Sequence, residues 1–148
     1  MNRGKFVGKK SVNIPSAHIK LPSISEKDKN FIRFAVEENV DFIAHSFVRN
    51  KEDVFAVQSI LDELNSNISI IAKIENEQGV DHIEEILDVC YGVMVARGDL
   101  AIEISAEKLP VVQKKIVDLA IKKRRPVIVA TQMLHSMIEN PRPTRAEV

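Results

Sequence analysis

Lys73 and Glu75 stand two residues apart at the end of the apolar run Ile68-Ser69-Ile70-Ile71-Ala72-Lys73-Ile74. On a strand, that spacing points both side chains to one face. Asp99 follows a second apolar run, Gly92-Val93-Met94-Val95-Ala96, within Arg97-Gly98-Asp99-Leu100. An ammonium beside two carboxylates suits a divalent cation and a phosphate together. Hard Mg²⁺ takes one or two carboxylates plus substrate oxygens, and a lysine neutralises phosphate charge. The same residues also fit a plain ion pair, Lys73–Glu75 or Lys73–Asp99, closing the end of a sheet. Gly98 lets the backbone turn sharply and come close to a ligand. A helix turn starting there would offer free N–H groups to a carboxylate or phosphate, whereas a tight turn with a surface salt bridge is the commoner fate of a lone R-G-D. Thr131 and Ser46 each end an apolar run; Thr131 can hold a water or proton there, and both equally fit a satisfied strand-end hydroxyl.

Positioning these residues needs regular elements. Ser25, with Asp28 three residues on, predicts a capped helix carrying Phe31, Ile32, Ala35 and Val36 at helical spacing. Val40–Phe47 reads as a strand, and Asn50 caps a helix with Val54, Val57, Ile60, Leu61 and Leu64 on one face. Ile68–Ile74 is the second strand, Gly79 opens a short helix, and Gly92–Ala96 is the third strand. Pro110 suits the first turn of a helix bearing Val112, Ile116, Leu119 and Ala120, and Pro126–Thr131 is the fourth strand. Strand starts fall about 25 to 35 residues apart, the size of a βα unit. Strands apolar on both faces fit a parallel sheet covered by helices. Two α/β architectures follow: an open doubly wound sheet, or part of a (βα)8 TIM barrel with about four βα units and parallel strands. No G-x-G-x-x-G follows any strand, which weakens a dinucleotide site. In both architectures ligands bind at the carboxyl ends of the strands, where Ser46, Lys73, Glu75, Arg97, Gly98, Asp99, Thr131 and Gln132 collect.

Composition narrows the partners. The 148 residues carry 21 Lys+Arg against 21 Asp+Glu, and this neutral balance argues against nucleic acid. Apolar runs are too short to span a bilayer, so no membrane partner is expected. Cys90 is the single cysteine, which points to a reducing cytoplasm and a small buried hydrophobe rather than a nucleophile. His18, His45, His82 and His135 lack metal-ligand spacing. Met133 and Met137, four apart, read as packing residues on a helix or turn. Residues 1–24, with Pro15, Pro22 and the two-apart Val12/Ile14 and Ile19/Leu21, read as an extended lead-in to a domain over 25–148.

Three motifs carry a family resemblance. Ile71-Ala72-Lys73-Ile74-Glu75-Asn76, Met94-Val95-Ala96-Arg97-Gly98-Asp99-Leu100, and Ala130-Thr131-Gln132-Met133-Leu134 followed by Pro141-Arg142-Pro143-Thr144-Arg145-Ala146-Glu147 resemble the corresponding stretches of pyruvate kinases. The resemblance runs from about Gly8 to the last residue. It implies a (βα)8 catalytic domain and phosphoryl transfer between phosphoenolpyruvate and ADP, giving pyruvate and ATP in glycolysis. It implies that Lys73 stabilises the transferring phosphoryl group and that Glu75 and Asp99 hold Mg²⁺ or Mn²⁺. By the same resemblance, the backbone at Arg97, Gly98 and Asp99 meets the substrate carboxylate. Thr131 lies near the enolate carbon, and Ser46 lies near the phosphate and monovalent-cation region. Phosphoryl transfer asks for positioning and charge neutralisation more than covalent chemistry, which agrees with these residue types.

Departures from the family pattern are Ala101 where Gly is usual, Ser105 where Pro is usual, and His45 where a small residue is common. Family chains are roughly three times longer, in line with a barrel plus added domains. The expectation is therefore four strands of eight, without the first three barrel strands and their K⁺ ligands, the lid, or the regulatory domain. Half a barrel leaves two strand edges and an apolar inner face open, which predicts self-association and negligible turnover alone. Two alternatives are another Mg²⁺-dependent barrel enzyme handling phosphoenolpyruvate or pyruvate, and a non-catalytic self-associating half barrel.

Overall fold

The computed structural model describes residues 21–148; most of the expected lead-in, with Val12, Ile14, His18 and Ile19, lies outside them. Helix α1 (Glu26–Glu37) begins as its sequence dictates. The Asp28 N–H donates to Ser25 Oγ at 3.3 Å, and the Ser25 N–H donates back to the Asp28 carboxylate at 2.7 Å. Strand β1 (Phe42–His45) follows, then α2 (Lys51–Glu63), whose Asp53 N–H donates to Asn50 Oδ1 at 3.0 Å. Next come β2 (Ser69–Ile74), α3 (Glu77–Asp81), α4 (Ile83–Val89), β3 (Gly92–Ala96), α5 (Arg97–Glu103), α6 (Leu109–Lys122) and β4 (Val127–Ala130). A 3-10 turn spans His135–Ile138.

All four strands are parallel and neighbour one another in chain order. Consecutive βα units laid side by side without a reversal of order are what a barrel arc requires; a doubly wound sheet would switch direction. The register aligns Ala44 with Ile71, Lys73 with Met94, Met94 with Ile128, and Ala96 with Ala130. Alternation along each strand then separates two faces. Ile70, Ala72, Ile74, Val93 and Val95 point into the core shared with Val54, Val57, Leu61, Ile83, Ile86, Leu87, Leu109 and Ile116 of the helices. The other face carries Phe42, Ala44, Ile71, Lys73, Met94, Ala96, Ile128 and Ala130, none of which joins that core.

The apolar face expected to lie open does so: the strands are apolar on both faces, and among the described residues helices cover only one. Phe42 is 53% exposed and Ile128 43% exposed. The inner layer of a barrel is filled by side chains from strands across it, and a four-stranded arc has none opposite.

Two local readings change. Asn76, not Gly79, caps α3: the Gly79 N–H donates to Asn76 Oδ1 at 2.8 Å. Gly79 sits inside the first turn, where a Cβ would stand 2.5 Å from the Val48 carbonyl oxygen. Met133 and Met137 are exposed rather than packed, because the segment after β4 runs over the surface as bends and a 3-10 turn.

Candidate active site

The polar residues expected at the strand ends lie on one rim of the sheet. Lys73 and Glu75 leave the end of β2 on the uncovered face, and their Nζ and Oε1 atoms are 2.7 Å apart. Lys73 Nζ also donates to Ser46 Oγ, one residue past β1, at 3.1 Å. The second carboxylate oxygen of Glu75 accepts the Phe47 N–H at 2.6 Å. Glu75 is only 1% exposed, so these two donors compensate a charge that burial alone would make costly. Phe47 reaches this position with φ 55°, a left-handed conformation uncommon for a bulky residue. Sequence reasoning foresaw the pairing of Lys73 with Glu75 and missed the Phe47 amide, because a backbone donor leaves no mark on residue type.

The plain Lys73–Glu75 ion pair is thus realised, and the Lys73–Asp99 pair is not. Asp99 is exposed in the first turn of α5, and no ion pair joins it to Lys73 among the described residues. The R-G-D segment is neither a tight turn nor a surface salt bridge: it opens α5 directly after β3. Gly98 has no positive φ, and a Cβ there would meet only Ala146 Cβ, at 3.7 Å. What Gly98 contributes is an uncovered first helical turn rather than a sharp bend. Arg97 points inward and is 1% exposed. Its Nη2 donates to the Val148 carbonyl, while Nε and Nη1 have no hydrogen-bond partner among the described residues. Burial pushes the Arg97 guanidinium below its usual value.

Thr131 follows the last paired residue of β4 and lies at the surface with φ 82°. A β-branched residue there is strained by on the order of 1–3 kcal/mol, the kind of strain that clusters at working sites. Residues Ser46, Lys73 and Glu75 are brought into contact. Arg97, Gly98, Asp99 and Thr131 line the rim beside them, across the β2–β3–β4 register.

The donor set supplies only part of the coordination a hard divalent cation needs. Among the described residues no group of three or more His, Cys, Asp or Glu could hold a metal. Two carboxylates, one buried and one exposed, match an ion that takes the rest of its oxygens from substrate and water. Cys90 is buried, and desolvation raises its thiol to about 11, so it is chemically quiet as expected.

His45, in β1, faces away from the rim. It lines a cavity of about 520 Å³ between α1 and β1, with Asp28, Ile32 and Val57 among its walls. Burial holds its imidazole below the usual 6.5, opposed by the charges of Asp53 and Asp28, and neither ring nitrogen has a hydrogen-bond partner among the described residues. No helix among the described residues is long and apolar enough to cross a membrane.

Comparison with known proteins agrees with this geometry. A family profile described as the pyruvate kinase barrel domain matches residues 1–148. The pyruvate kinase of Borreliella burgdorferi is 58% identical over 148 residues, covering 99% of this chain and 31% of that protein. That of Staphylococcus aureus strain MRSA252 is 54% identical over 147 residues, covering 99% of this chain and 25% of that protein. The chain thus spans about a quarter to a third of the length of these relatives. A parallel βα arc and a family match across its whole length show that this chain belongs to the pyruvate kinase family, through its barrel domain.

Proposed function

We propose that this rim is the phosphoryl-transfer part of a pyruvate kinase site, acting between phosphoenolpyruvate and ADP in cytoplasmic glycolysis. The single observation behind the reading is the contact of Lys73 with both buried Glu75 and Ser46 on the uncovered face of the sheet. Glu75 and Asp99 would hold Mg²⁺ or Mn²⁺, which supplies charge neutralisation between the phosphoryl oxygens and the two carboxylates. Lys73, already directed at this rim, neutralises the equatorial oxygens of the transferring group; Ser46 holds the ammonium in place. The first turn of α5 leaves the Gly98 and Asp99 amides without intrahelical partners, and these donate to the substrate carboxylate. Thr131 lies where a proton arrives at the enolate carbon. K⁺ and the nucleotide contact other parts of the family's barrel, and residues 25–148 form the partial barrel domain to which this rim belongs.

The open face favours a companion reading. Exposed Phe42 and Ile128 on that face would draw copies of the chain together. Self-association and parentage are independent, since one concerns the face and the other the rim.

In a coupled phosphoenolpyruvate–ADP assay the chain alone is expected to show negligible turnover, because its four-stranded sheet is not closed. Near-normal turnover would refute that. Calorimetry with phosphoenolpyruvate and Mn²⁺ then tests the rim itself: Lys73→Met is expected to weaken binding by about tenfold or more. Equal binding by wild type and variant would refute the role given to Lys73.

A further inference from the structure

Glu147 has no role in the site described above, yet its carboxylate accepts four hydrogen bonds close to the rim. Oε1 accepts the Ser136 N–H at 2.9 Å, and Oε2 accepts Ser136 Oγ at 2.6 Å. Oε2 also accepts the Thr144 N–H at 3.0 Å and Thr144 Oγ1 at 2.6 Å. The Leu134 N–H donates to the Glu147 carbonyl at 2.9 Å. These donors, led by the Ser136 hydroxyl and then the Thr144 hydroxyl, hold the Glu147 carboxyl down to about 2. It is therefore ionised throughout the neutral range.

What Glu147 grips is the segment after β4. That segment leaves the sheet through Thr131 at φ 82° and Leu134 at φ 55°, then makes the 3-10 turn His135–Ile138. Two left-handed non-glycine residues within four positions persist only where their surroundings over-determine them. The residues on either side of Glu147 reach the other wall of the rim. Ala146 lies against Gly98, and the Val148 carbonyl accepts from the buried Arg97 guanidinium. Residues 146–148 thus touch both the end of β3 and the loop after β4.

We propose that Glu147 is a positioning residue: it holds the Thr131 loop at a set distance from the Arg97–Gly98 turn, so that a ligand's carboxylate and its enolate carbon meet their partners together. The consequence for ligand binding rests on the pyruvate kinase reading above; the clasp itself does not.

The experiment compares wild type with Glu147→Ala, Glu147→Gln and the conservative Glu147→Asp. Amide hydrogen exchange over 131–138 and 97–99 is measured without ligand. Binding of oxalate, a planar stand-in for an enolate carboxylate, is measured with Mn²⁺ present, and Mn²⁺ binding is measured by itself. Glu147→Ala and Glu147→Gln are expected to speed exchange in both segments by about tenfold or more and to weaken oxalate by a similar factor. Mn²⁺ affinity stays unchanged, and Glu147→Asp, which keeps the charge, recovers much of both losses. A role confined to general stability would lower Mn²⁺ and oxalate binding alike and quicken exchange throughout the sheet, and that result overturns the proposal. Unchanged exchange in either segment in Glu147→Ala also overturns it, as does unchanged oxalate affinity where exchange has risen. If wild type binds no oxalate, the pyruvate kinase reading of the rim fails, and the exchange measurements still decide the clasp.

Discussion

Alternate residues of the same four strands meet opposite surroundings. Ile70, Ala72, Ile74, Val93 and Val95 are enclosed by α2, α4 and α6, whereas Phe42, Lys73, Met94 and Ile128 look out from an uncovered face. The first set supplies cohesion and carries no polar chemistry. The second set carries Lys73, whose ammonium pairs with buried Glu75 at the rim. A strand's two-residue period lets one segment do both, because each face is selected separately. Stability and chemistry are therefore separable by substitution in this molecule to a degree that a single-faced element would not allow.

The largest expected effect lies on the enclosed face. Leu61 is fully buried, and Leu61→Ala is expected to lower the unfolding free energy by about 2–5 kcal/mol in urea titrations, from lost transfer energy plus the cavity left behind. A loss below about 1 kcal/mol would mean that the helix layer is not the principal core.

His45 gives a smaller, pH-dependent effect. Its imidazole is held below 6.5 by burial, so the unfolded chain takes up the proton first. Stability is then fully present above the unfolded value and is lost as pH falls through 6.5 toward the folded value, at up to about 1.4 kcal/mol per pH unit. The charged groups facing it are Asp28 from α1, Asp53 from α2 and Arg49 from the β1–α2 loop. Both acids are lowered from 3.8 and titrate below this window. Urea midpoints at pH 7.5 and 5.5 should differ in wild type and converge in His45→Gln; equal slopes in both would contradict the assignment.

On the uncovered face the expected stability change is smallest. Ile128→Thr should alter the unfolding free energy by about 0.5 kcal/mol or less, as for an ordinary surface site. Light scattering should nonetheless show weaker self-association, and an unchanged oligomer would remove that face as the contact.

Much of this was legible in residue order. The Ser25–Asp28 capping box, the Asn50 cap and the spacing of Val54, Val57 and Leu61 each produced the element they announce. Local signals suffice where the partner is three or four residues away. The R-G-D-L segment left a helix start and a tight turn both open, because the two share residue types, and burial of Arg97 is a tertiary outcome. Asn76 was overlooked as a cap because Gly79 drew the assignment, though N-x-x-G before an apolar helix face carries the signal. The Phe47 amide and the Ser136 half of the Glu147 clasp depend on contacts 28 and 11 residues apart, which no local pattern encodes. The open face was legible only from the number of strands, four of a barrel's eight, because an apolar strand tells what it avoids, not which neighbour shields it.

Mn²⁺ binding followed by water-proton relaxation, with and without phosphoenolpyruvate, probes the rim most directly. Wild type is expected to bind Mn²⁺ more tightly when phosphoenolpyruvate is present, and Glu75→Gln and Asp99→Asn are each expected to weaken the ternary complex by about tenfold or more. A double variant that binds Mn²⁺ and phosphoenolpyruvate as well as wild type would contradict the assignment of these two carboxylates to a metal-bridged phosphate site.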